Sequence, residues 1–187
     1  MNQAFDELVT RLAKPGKVFL IGVSMGASLC CLLAKDKEKE ASVAGLILLA
    51  PAFAIAPWKR TVARYLARLF PHFSLYKGKA AERYFHGKQL SSYARIPVAK
   101  IQEMTDLGGE AFKQLERIDV PIYMFAGLRD HTVSFKKIRQ AAALLKNLQK
   151  GHCVRFLKYS QHILTVEPDR REVFQECVRF MRERLES

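Results

Sequence analysis

A serine between two glycines, Gly22-Val23-Ser24-Met25-Gly26, is followed far along the chain by an aspartate in GLRDHTV, Asp130, and a histidine in SQHIL, His162. Together these three residue types can turn a hydroxyl into a nucleophile. A serine hydroxyl reacts poorly at neutral pH, so it needs a base in hydrogen-bond reach and an acid that orients the base. A serine on a sharp strand-to-helix turn takes a strained backbone, and residues two before and two after it collide with neighbours unless they are glycine. Gly22 and Gly26 are expected to meet that need. The backbone N–H of Met25, at the start of the helix, then faces the place where an oxyanion develops.

Such a motif carries meaning only where a strand runs into a helix. The seventeen residues from Val18 to Ala34, VFLIGVSMGASLCCLLA, hold no charge. They fall short of the ~20 apolar residues of a membrane span. Two glycines and two serines also separate a β-rich half from an Ala/Leu-rich half, which predicts a buried strand and a helix. Ahead of them, Phe5, Leu8, Val9 and Leu12 fall at helical spacing, and Lys14-Pro15-Gly16-Lys17 breaks the pattern. VAGLILLAPA, VPIYMFAG and CVRFLKY read as three further strands. Between the last two, Ile138, Ala141, Leu145 and Leu148 form a stripe, with Ser134 as N-cap and Gly151 as stop. A final helix carries Val173, Cys177, Phe180, Met181 and Leu185 on its inner side. Strands alternating with helices predict an α/β fold with a parallel sheet.

In such a sheet the working groups lie outside the carboxyl ends of the strands. His152 precedes its strand and so belongs to the wrong end, as does Asp119. His72 and His86 fall in the long insertion after the second strand, and His131 adjoins Asp130 and points elsewhere, as a surface residue or pocket liner. Asp130 and His162 each follow a strand, giving the order Ser24, Asp130, His162.

Composition narrows the classes. A chain of 187 residues, 49% hydrophobic, buries one core. Its opening, MNQAFDELVTRL, lacks the apolar run of a secretory leader, which predicts a cytoplasmic chain. Cys30, Cys31, Cys153 and Cys177 show no metal-ligand spacing and read as reduced core fillers. The reaction calls for no metal and no cofactor. A net charge of +13 suits an anionic partner, but no zinc finger, RNP-type aromatic signature or Lys/Arg tract supports sequence-specific nucleic-acid binding.

The motif GVSMG at 22–26, the Gly-x-x-Asp-x-x-Val form of VPIYMFAGLRDHTV and the YSQHIL segment together resemble the α/β-hydrolase superfamily. Within it the resemblance is to carboxylesterase and monoacylglycerol-lipase-like serine hydrolases, over nearly the whole chain. It implies Ser24 as nucleophile, Asp130 as acid, His162 as base and the Met25 N–H as one oxyanion donor. Two departures stand out. Gln161 occupies a position where relatives often carry glycine. Relatives also carry four more strands ahead of the first helix here, and a loop among them gives a second oxyanion N–H. The strand bearing Ser24 is therefore expected to be an exposed apolar edge, and the chain to associate with itself.

Residues 53–117 resemble the family's helical cap, set between core segments 1–52 and 118–187. Trp58, Val62, Tyr65, Leu66, Leu69 and Phe70 share one side of a helical pattern, with Lys59, Arg60, Arg64 and Arg68 on the other. Trp58, Tyr65, Leu69, Phe70 and Phe73 are candidates for a pocket that holds an acyl chain; the alternative is that they seat the cap on the core. The insertion holds twelve Lys and Arg against five Asp and Glu, so +7 of the net charge lies there. A basic, aromatic helix of this kind suits an anionic lipid surface, where lipid-like substrates are found. The expected activity is hydrolysis of carboxylic esters with an apolar acyl group through an acyl-enzyme. A thioesterase, amidase or acyltransferase could use the same residues, and a non-catalytic remnant binding lipid or a protein is the alternative from another class.

Overall fold

The computed structural model describes residues 3, 6, 7, 10, 18–55, 61, 62, 65, 66, 68–70, 74–76, 82–85, 88–91, 95–148 and 150–186. The readings at Phe5, Leu8, Val9, Leu12, Trp58, His72, Phe73 and His86 lie outside them. The uncharged run resolves into strand β1, Val18–Val23, and helix α1, Met25–Ala34, joined by Ser24 alone. A short helix α2, Lys37–Glu40, then leads into β2, Val43–Leu49. Among the described residues no helix is long and apolar enough to cross a membrane.

The insertion carries strands as well as helix. Short strands β3 (Ser74–Tyr76) and β6 (Arg95–Pro97) pair antiparallel, as do β4 (Glu82–Phe85) and β5 (Lys88–Ser91). Helix α3, Val98–Gln114, packs against α1 and contributes Ala111 to the main core. The chain continues through β7 (Ile122–Gly127), α4 (Phe135–Leu148), β8 (Cys153–Leu157) and α5 (Arg170–Leu185).

The four long strands form one parallel sheet in the order β1-β2-β7-β8. Because side chains alternate across a strand, β2 serves two cores. Leu46 and Leu48 face a cluster with Ala27, Cys31, Leu115, Ile138 and Leu145; Ile47 and Leu49 face Val173, Cys177 and Phe180 of α5. The central strands β2 and β7 are almost wholly buried, whereas β1 and β8 form the edges. On and just beyond β1, Ile21, Val23 and Met25 are exposed, the apolar edge that the sequence predicts.

Some details differ from the expected pattern. Leu185 is exposed, because Phe180 is the last α5 residue buried against the sheet and the final turn runs past it. Cys153 is exposed at the start of edge strand β8, so only Cys31 and Cys177 are buried and Cys30 is half-buried. Burial pushes the Cys30 and Cys177 thiols up to about 11 and that of Cys31 higher still.

Candidate active site

Ser24 occupies a strained turn, with φ 54° and ψ −115°. Such a conformation costs on the order of 1–3 kcal/mol and persists only where the surroundings enforce it. Backbone groups do so here. The Ser24 N–H donates to the Leu49 carbonyl at 2.8 Å, and the Ser24 carbonyl accepts from the N–H groups of Ala27 and Ala52, each at 3.1 Å. Ala50, buried beside it at the end of β2, is the other described non-glycine residue with positive φ, 48°.

The two glycines of the motif are not equivalent. A Cβ on Gly22 would lie 2.5 Å from the Ala27 nitrogen and from the Gly26 carbonyl, so glycine is required there. A Cβ on Gly26 would meet nothing within 4 Å, which corrects the expectation that both positions are sterically confined. It is the backbone of residue 26, rather than its lack of a side chain, that crowds the turn.

Three loops leave the carboxyl ends of β1, β7 and β8 and meet at one point. His162 Nε2 lies 2.9 Å from Ser24 Oγ, and His162 Nδ1 lies 2.7 Å from Asp130 Oδ2. Asp130 is buried, and its Oδ1 accepts from the N–H of Thr132 at 2.7 Å and of Val133 at 3.3 Å. A carboxylate only accepts, so the shared proton sits on Nδ1 and leaves Nε2 free to accept from the Ser24 hydroxyl. Met25, at the first helical position, has an N–H without an intrahelical acceptor. The arrangement can move a proton from Oγ to Nε2 while the carboxylate steadies the imidazolium.

The histidine loop is held by two acids that belong to no motif of the sequence. The Glu167 carboxylate is buried and accepts from the N–H of Gln161 and, at 3.1 Å, of Ile163, one on each side of His162. Asp169 stands at the N-cap of α5, yet its side chain turns back to accept from the N–H of Tyr159 at 2.9 Å and Ser160 at 2.8 Å. Read from sequence, an aspartate there looks like a helix cap. Gly127 lets the loop come close: a Cβ there would lie 2.1 Å from the Gln161 carbonyl oxygen. The Gln161 side chain itself is exposed.

The other histidines stay apart where they are described. His152 lies at the amino end of β8, its Nδ1 accepting the Ile122 N–H at 3.1 Å. Burial, with Lys150 nearby, lowers its pKa. His131 is exposed. Of the pocket candidates, Tyr65, Leu69 and Phe70 are exposed, and Trp58 and Phe73 lie outside the described residues. Cavities of about 550 Å³ lie along the outer face of α5 and beside His152, neither lined by Ser24 or His162. Among the described residues no group of His, Cys, Asp and Glu gathers as a metal site.

A family model described as serine aminopeptidase, S33, matches residues 1–169. The chain belongs to this family of hydrolases. The chain is similar in fold to a monoacylglycerol lipase of Paleococcus ferrophilus, at 22% identity and a TM-score of 0.72, over 97% of this chain and 74% of that one. A structure from the metagenome-derived lipolytic enzymes LipS and LipT gives 21% identity and 0.75, over 97% and 70%. A soluble variant of the monoglyceride lipase of Saccharomyces cerevisiae, in complex with a substrate analogue, gives 16% and 0.73, over 98% and 66%. These likenesses place the chain in the α/β-hydrolase fold. No curated protein matches it.

Proposed function

We propose that this chain hydrolyses carboxylic esters with an apolar acyl part through an acyl-enzyme on Ser24. The observation that carries the reading is the contact of Ser24 Oγ with His162 Nε2, with Asp130 behind the ring. Oγ attacks the carbonyl carbon as its proton passes to Nε2, and the Met25 N–H receives the oxyanion. The tetrahedral species collapses, Nε2 returns the proton to the leaving alcohol, and a water repeats the sequence to free the acid and Ser24. The lipases and esterases of like fold support an ester over the peptide that the family's description names.

Val62, Tyr65, Leu69 and Phe70 are exposed beside Arg68, which suits an anionic lipid surface. Equal binding to anionic and neutral vesicles would remove that part of the proposal. The open β1 edge suits pairing with a second copy; a monomer by light scattering at high concentration counts against it. The exposed apolar side chains of Ile21 and Val23 favour, as second reading, a non-catalytic binding role.

Intact mass after incubation with a fluorophosphonate separates the two readings. The proposal requires a single adduct on the folded chain, absent from Ser24→Ala and from a heat-unfolded sample. A folded chain that stays unlabelled sinks it.

A further inference from the structure

Two adjacent glycines, Gly108 and Gly109, sit inside helix α3, where they weaken the helix. Their surroundings differ sharply. A Cβ on Gly109 would meet nothing within 4 Å, whereas a Cβ on Gly108 would lie 2.0 Å from the Ala52 carbonyl oxygen and 3.1 Å from the carbonyl carbons of Ala52 and Phe53. Gly108 thus lets α3 press on the segment that follows β2. That contact cannot slide easily, because Phe53 is buried and meets Phe112 of α3 edge-on at 5.9 Å, and Ala111 is buried in the main core.

The Ala52 residue that Gly108 touches also donates its N–H to the Ser24 carbonyl at 3.1 Å. The Ser24 carbonyl and the Met25 N–H belong to one planar peptide unit, in which the two groups point in opposite directions. Fixing the carbonyl therefore aims the N–H.

From this chain of contacts we infer that Gly108 is a positioning residue for the oxyanion donor, acting through Ala52 on the Ser24–Met25 peptide. The inference rests on the proposed ester hydrolysis for its kinetic consequence, though not for its geometry. A methyl group on residue 108 must displace the Ala52 carbonyl by about 1 Å to reach ordinary contact; that carbonyl belongs to the Ala52–Phe53 peptide, and the displacement reaches the Ala52 N–H, in the peptide before it, through the shared Cα. A shift of that size in a reacting group is worth up to about 10²-fold in rate. The histidine lies on another loop, whereas the Asp130 loop is tied to this segment by the Ser134 N–H, which donates to the Ala54 carbonyl at 2.8 Å, and by the bridge between Ile55 and Val133. For Gly108 to act on the oxyanion donor, the shift must stop short of Asp130, which the pH midpoint reports.

The test is the matched pair Gly108→Ala and Gly109→Ala, assayed with a short p-nitrophenyl ester. The folded Gly108→Ala protein should lose kcat by about 30-fold, with KM within about twofold and the midpoint of the pH–rate profile unchanged. Gly109→Ala should retain all three values. Hydrogen exchange supplies a readout independent of turnover: the Ala52 amide should be protected in the parent and in Gly109→Ala, and exchange rapidly in Gly108→Ala. Replacing Ala52 by lactic acid removes the N–H while leaving Gly108 in place, and should reproduce the loss of kcat even if Gly108→Ala does not fold. Unchanged kcat in either altered protein overturns the inference, as does joint movement of kcat, KM and the pH midpoint, or a protected Ala52 amide in Gly108→Ala. A parent chain that turns over no ester refutes the proposed activity separately, and the Ala52 amide still decides whether Gly108 holds that peptide.

Discussion

The nucleophile and the histidine are held by different means. Around Ser24 the restraints are backbone hydrogen bonds and the absence of side-chain volume at Gly22. Around His162 they are carboxylates: Asp130 on the ring, and Glu167 and Asp169 on the flanking N–H groups. The first half tolerates no added atom at Gly22, though it has room at Gly26, and it has no side-chain charge to lose. The second half is sensitive to loss of charge, because an N–H left without its carboxylate in a partly buried loop keeps part of its desolvation cost.

The largest effect should come from the charged half. Asp130→Asn keeps the shape but favours the wrong imidazole tautomer, and kcat should fall on the order of 10⁴-fold; a fall of less than tenfold would break the comparison. Next is the steric half: Gly22→Ala should destabilise the fold by about 3 kcal/mol, seen as a melting temperature about 10 °C lower. Glu167→Gln should cost about 2 kcal/mol and lower kcat about tenfold as the His162 loop loosens. The smallest change has the opposite sign: Gly26→Ala should stabilise by about 0.5 kcal/mol through helix propensity. If Gly22→Ala and Gly26→Ala melt alike, the steric account of the turn is wrong.

The elements that carry the site were legible because each declares itself locally. An uncharged run bracketed by a break and a charged turn, and three further hydrophobic runs, gave β1, β2, β7 and β8 and placed Ser24, Asp130 and His162 after carboxyl ends of strands. What stayed hidden depends on distance. Ala52 and Gly108 are 56 positions apart in sequence, and no periodicity links a helical glycine to a carbonyl in another loop. Asp169 fits a cap by position, and only the fold turns its carboxylate toward Tyr159 and Ser160. The strands of residues 74–97 are three or four residues long, too short for alternation to register. The apolar stripe at Val62, Tyr65, Leu69 and Phe70 has helical spacing, but spacing cannot tell a face turned to the core from one turned to solvent.

Among the described residues β1 is an edge of the sheet, and it ends at the candidate nucleophile. A strand laid against it would run about 4.8 Å away, and its end would stand next to the turn that presents Ser24. A strand paired there would therefore also stand beside the candidate site. Ile21 and Val23 are the exposed apolar side chains of that strand, so anything that pairs there meets them within three residues of Ser24.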